Sequence, residues 1–147
     1  MSKGKVYLNY YGNLKNTEEG LLCRVSRGIP KGIKVDREFE WLYPSALLLE
    51  FFKDGKINWT TYVEHYVELI SRDEAIKEIN EIEDLLDNGI SVNLLCYEPS
   101  MPCHRFILGQ LFYSKGYEVK VWRMNTHFQA SWMDYSDGSC FSSVITG

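Results

Sequence analysis

The sequence predicts an α/β domain: a small Rossmann-like, three-layer arrangement of a mostly parallel sheet flanked by helices, with a C-terminal extension. Three observations carry this reading. Residues 91–96 (Ser-Val-Asn-Leu-Leu-Cys) form a compact apolar run suited to a strand buried on both faces. A helical stripe follows, made of Cys103, Phe106, Ile107, Gln110, Leu111 and Ser114, opened by Pro102 and ended by Gly116. Residues 118–122 (Glu-Val-Lys-Val-Trp) then read as another strand. A strand–helix–strand order implies parallel neighbours joined by a right-handed crossover.

The other elements follow in chain order. Residues 6–11 (Val-Tyr-Leu-Asn-Tyr-Tyr) are rich in strand formers and stop at Gly12. Residues 21–26 form a second short strand, ended where Gly28 and Pro30 impose a loop that extends to residue 40. Pro44 suits a first helical position ahead of residues 46–52, and Asp54-Gly55 breaks that helix. Asn58 caps the next, whose stripe is Trp59, Tyr62, Val63, Tyr66, Val67 and Ile70. Ser71 with Glu74 makes a capping-box pattern for a third helix. Its stripe, Ala75, Ile76, Ile79, Ile82, Leu85 and Leu86, ends at Asn88-Gly89. Residues 1–123 thus read as one domain, and residues 124–147 as an extension with a β-hairpin pattern across Asp137-Gly138.

At 147 residues a single hydrophobic core is expected. A net charge of −4 argues against duplex nucleic acid as the main partner, because such binding neutralises phosphates with a basic excess. No apolar run approaches the roughly 18 residues of a membrane span, and the N-terminus lacks the apolar stretch of a signal peptide. The four cysteines, Cys23, Cys96, Cys103 and Cys140, are too few and scattered for a disulfide scaffold, so a cytoplasmic protein with free thiols is expected. No cofactor is indicated, and the oligomeric state is left open.

Chemistry-bearing residues gather between Cys96 and Arg105. Ligands of open α/β sheets collect beyond the carboxyl ends of the strands, and Cys96 closes such a strand. The start of the following helix offers unpaired N–H groups and the positive end of a dipole. Cys103, placed in the first turn, would be driven toward thiolate there. His104 adds a base, Arg105 a permanent cation, and Glu98 an acid or base. Burial statistics favour a structural reading of Cys96 and make Cys103 as much a core residue as a reactive one. His104 and Arg105 oppose the helix dipole, which favours a bound anion over a merely solvated turn. A metal centre of Cys96, Cys103 and His104, with Cys23 as fourth ligand, is set aside. The spacing is not that of a zinc ribbon or finger, and adjacent Cys-His pairs rarely both reach one ion.

The pattern Cys-x-Glu…Cys-His-Arg at Cys96, Glu98, Cys103, His104 and Arg105 resembles the signature of the domain of unknown function 488 family. Tyr10-Tyr11-Gly12, Val-Ser-Arg-Gly-x-Pro at residues 25–30, Leu42-Tyr43-Pro44, residues 52–57 and Trp59-x-x-Tyr62 agree with it, over about residues 5–123. The resemblance implies an α/β sheet domain and supplies no activity. It also implies a second site element: Ser26 and Arg27 beside the Cys-His-Arg turn, with Tyr10 and Tyr11 at the end of the first strand. Two arginines, a helix start and flanking aromatics suit a small anionic, nucleotide-like ligand. Sheet packing accounts for either tyrosine equally well.

Two readings share that ligand: an enzyme performing hydrolysis or group transfer through Cys96, Glu98, Cys103 and His104, and a module that binds without turnover. An alternative is a protein–protein interaction or inhibitor module acting through the aromatic surface and the tail.

Overall fold

A computed structural model describes residues 2–97 and 103–136. Six strands form one sheet: β1 Val6–Tyr10, β2 Leu21–Arg24, β3 Arg37–Glu38, β4 Val92–Cys96, β5 Val119–Met124 and β6 Ala130–Asp134. Their order is β3-β2-β4-β1-β5-β6, and every pairing is parallel except that of β5 with β6. Four helices flank the sheet: α1 Ala46–Lys53, α2 Trp59–Ile70, α3 Asp73–Asp87 and α4 His104–Ser114. This is the α/β three-layer architecture the sequence predicts.

β4 is the centre of the site-bearing half of the sheet. All five of its residues are buried, as the unbroken apolar run requires of a strand with neighbours on both edges. In register, Tyr10 lies beside Cys96 on one side, and Arg24 beside Leu95 on the other. Two glycines let the three strands meet at their amino ends. A Cβ at Gly4 would lie 2.2 Å from the Ile90 carbonyl oxygen, and one at Gly20 would lie 2.5 Å from that of Ser91.

Several local expectations are corrected. α1 begins after Pro44: Ser45 is its cap, with the side-chain oxygen accepting from the Leu48 N–H at 3.1 Å. Asn58 caps α2 as expected, accepting from Thr61 N–H at 2.9 Å. Ser71 does not open a capping box, since its hydroxyl donates back to the Val67 carbonyl at the end of α2. α3 starts after Arg72 with no side-chain cap, and Asp73 and Glu74 in its first turn complement the dipole instead. Val67 and Ile76, assigned to apolar stripes, are exposed, because these stripes are narrower than the sequence suggests. The loop through residue 40 contains β3. The suggested hairpin across Asp137-Gly138 lies outside the described residues, and the hairpin that is described joins β5 to β6.

Glu78 of α3 accepts the Trp41 N–H at 2.8 Å, tying the 3-10 turn of Glu40–Leu42 to the helix. Burial, aided by the charges of Glu40 and Glu81 and opposed by that hydrogen bond, pushes its carboxyl up to about 7. A folded-state value above the unfolded one contributes stability that is complete below about 4.5 and lost as pH rises through about 7. Glu78→Gln keeps an acceptor but cannot ionise. Its melting temperature relative to wild type is therefore expected to climb by a few degrees across that interval, read by thermal unfolding at stepped pH. A difference independent of pH would sink the assignment.

Candidate functional site

Cys96 ends β4 fully buried, and the chain re-enters the described structure at Cys103. Cys103 is the cap residue of α4 and not part of its first turn, as the sequence had suggested. Its backbone is extended (φ −153°, ψ 144°) and its side chain makes no capping bond. The change from extended to helical backbone between Cys103 and His104 lets two consecutive side chains face each other. The Cys103 Sγ lies 3.7 Å from His104 Nδ1, and the Cys96 Sγ lies 3.8 Å from the same nitrogen and 3.4 Å from Nε2.

His104 is locked from behind. Its Nε2 lies 2.5 Å from the Val25 carbonyl oxygen, just beyond β2. A carbonyl only accepts, so Nε2 carries a proton and Nδ1, the nitrogen nearest the Cys103 sulfur, keeps its lone pair. Tyr66 packs against the ring at 5.4 Å between centroids, its hydroxyl held by the Leu42 carbonyl. Burial opposes charge on Cys103, but the hydrogen bond from Cys96, the charge and hydrogen bond of His104, and the Arg105 guanidinium together hold its thiol well below the ordinary value. Cys23 shows the contrast: burial, together with Asp36, pushes it up to about 12, and it lies on β2 outside the Cys96–Cys103–His104 cluster.

Two cavities meet at His104. One, of about 240 Å³, is lined by Ser26, Arg27, Gly28, Tyr97 and Lys53 as well as His104. The other, of about 100 Å³, has Cys103 with Phe52, Trp59 and Tyr62 on its wall. Lys53 and Leu49 of α1 belong to both. Neither Arg27 nor Lys53 is in an ion pair among the described residues. Arg24 shapes the first cavity without lining it: its Nε donates to the Ser26 carbonyl, another nitrogen to that of Arg27, and it pairs with Glu38.

The sequence-predicted residues divide accordingly. Cys96, Cys103 and His104 form one cluster, and Ser26 and Arg27 share a cavity with His104. Ser26 donates to the Gly28 carbonyl, so the Tyr11 hydroxyl donates to Ser26 at 2.9 Å. Tyr11 is thereby a buried brace, with its ring edge-on to Tyr97 at 5.5 Å. Arg105 lines neither cavity. It is 1% exposed, with its guanidinium 4.6 Å from the Phe106 ring and 5.7 Å from that of Tyr10. Tyr10 is thus a partner of Arg105. Glu98 lies outside the described residues. Sequence reasoning missed Lys53 and the Val25 carbonyl. Lys53 stands within the matched stretch of residues 52–57 but carried no chemical signal, and a backbone acceptor has no side-chain signature at all.

Residues 6–116 match a family model described as the active DUF488-N3 subclade, DUF488-N3a. The chain belongs to the DUF488-N3a family. No curated protein and no solved structure matches significantly. The DUF488-N3a match runs from the start of β1 to the turn after α4, so it takes in both cavities and the Cys96–Cys103–His104 cluster, and it ends before β5 and β6. Among the described residues, no helix is long and apolar enough to cross a membrane.

Proposed function

We propose that the protein binds a small phosphate-bearing ligand, with its anionic group between Arg27 and Lys53 and its reacting atoms against the Cys96–Cys103–His104 cluster. The observation that carries this is the pair of cavities meeting at His104, one bearing two cations without an ion-pair partner among the described residues and the other walled by aromatic rings. An anion in the first would supply the missing counter-charge. A flat ring suits the second, which makes nucleotides the first class to test. The word "active" in the family's description accords with an enzyme over a passive binder, and hydrolysis or group transfer are the reactions such a cluster suits. Cys23, Cys96 and Cys103, none of them in a disulfide among the described residues, suit a reducing, cytoplasmic setting.

The test is a calorimetric and thermal-shift titration with inorganic phosphate and nucleoside mono- and diphosphates at fixed ionic strength. Binding is expected to raise the melting temperature. Arg27→Ala and Lys53→Ala are each expected to weaken it about tenfold, the order expected for one charge-assisted hydrogen bond. Absence of a shift with every phosphorylated compound, or equal affinity in the double variant, would overturn the proposal.

A further inference from the structure

We infer that Cys96, Cys103 and His104 form a zinc site with no fourth protein ligand among the described residues. The donor atoms of the three residues lie within 4.8 Å of one another, and all three residues are buried. Zinc bonds of about 2.3 Å to thiolate and 2.0–2.1 Å to imidazole, at the tetrahedral angle, put a sulfur and a nitrogen about 3.6 Å apart. The Nδ1 of His104 is 3.7 Å from one sulfur and 3.8 Å from the other. The Cys103 edge thus has nearly the length that a shared ion would impose, whereas the Cys96 sulfur lies nearer Nε2, at 3.4 Å, and has to turn toward Nδ1 to join it.

A second observation is independent of those distances. Histidine ligands of metals usually donate their other ring N–H to a carboxylate or a backbone carbonyl, which fixes the tautomer and aims the free nitrogen. The Nε2 of His104 does this to the Val25 carbonyl, leaving Nδ1 its lone pair, 3.7 Å from the Cys103 sulfur. The sequence objection was that adjacent Cys and His rarely reach one ion. It fails here because Cys103 is extended and His104 helical.

Two thiolates and an imidazole suit zinc over the harder magnesium or calcium. On binding, the ion takes both sulfurs as thiolates, and any thiol proton passes to solvent. Three protein ligands plus one open position is the pattern of a catalytic zinc site. The fourth position, filled by water, makes hydrolysis the reaction class. The ion would lower the pKa of that water, which would give a proton to solvent as its oxygen bonds to the electrophilic centre of the substrate and the bond to the leaving group breaks. The leaving group would take up a proton from solvent. That this substrate is the ligand held by Arg27 and Lys53 rests on the function proposed above; the metal site itself does not.

The experiment measures metal in the full chain purified without chelators, then repeats the measurement after metal removal and dialysis against zinc. About one zinc per chain is expected. Titration of the metal-free wild-type protein with cobalt(II) is expected to give the intense d–d bands of a tetrahedral ion and the sulfur-to-cobalt charge-transfer band of thiolate ligation. Cys96→Ser, Cys103→Ser and His104→Ala are each expected to weaken metal binding at least tenfold, whereas Arg27→Ala with Lys53→Ala leaves it unchanged. The cobalt titration uses wild-type protein, so it decides the matter even if a variant fails to fold. Metal well below one equivalent with no thiolate charge-transfer band would overturn the site. Normal metal binding without phosphate binding would leave the zinc site standing and overturn only the ligand reading.

Discussion

Gly20→Ala is expected to lose about 3 kcal/mol or more of folding stability, combining left-handed strain and a backbone clash. Gly20 has φ +92°, where a Cβ is disfavoured in any surroundings. That Cβ would also lie 2.5 Å from the Ser91 carbonyl oxygen, an atom held in place because it accepts the Leu21 N–H at 2.9 Å. Relief of the clash means parting β2 from β4 at the first bond of their ladder. The consequence reaches the site, since Val25 and Ser26 follow β2 directly. Gly32→Ala is the control: it has φ +85° but nothing within 4 Å of the added carbon, so it should cost only about 1 kcal/mol. Urea midpoints at unchanged slope separate the two. Equal losses would show that backbone strain alone, and not the strand contact, sets the requirement at Gly20.

Arg105→Ala is expected to lose about 3–5 kcal/mol, comparable to truncating a large core side chain. Arg105 is among the largest fully buried side chains of the protein, with its guanidinium close to the rings of Tyr10 and Phe106. Truncation leaves a cavity and removes a desolvated cation–π contact worth about 2 kcal/mol. Arg105→Lys keeps the charge and much of the stem but loses the planar group that stacks on a ring, so it should fall between. Denaturant unfolding of the three proteins checks the order. An alanine variant within about 1 kcal/mol of wild type would mean that the surrounding rings close over the space.

Much of the fold is readable from pattern. The apolar run at β4, the aromatic stripe of α2 and the Asn58 cap depend on spacing along one element, and local spacing determines them. Helix starts are read less well. Ser45 and Ser71 are both good caps by composition, but one accepts from an N–H ahead of it and the other donates to a carbonyl behind it. Which occurs depends on the path of the neighbouring turn. A buried ladder of Asn9, Asn13 and Asn93 also gave no signal, because each is polar within a strand or turn pattern, and the bond that completes it, Asn9 to Asn93, forms only across the sheet.

What this sequence determined by itself is the place of the chemistry: a strand that closes on Cys96 and a helix that opens near Cys103, His104 and Arg105 must bring those residues to the carboxyl edge of a parallel sheet. Only the tertiary structure decided what each one faces. Arg105, read as an anion clamp, turns inward against Tyr10 and Phe106, while Lys53 reaches the cavity from a helix about fifty residues away. The physical reason is that a side chain's position along its own element follows from local periodicity. Its partner follows from strand order and from backbone groups such as the Val25 carbonyl, and these come together only when distant segments pack.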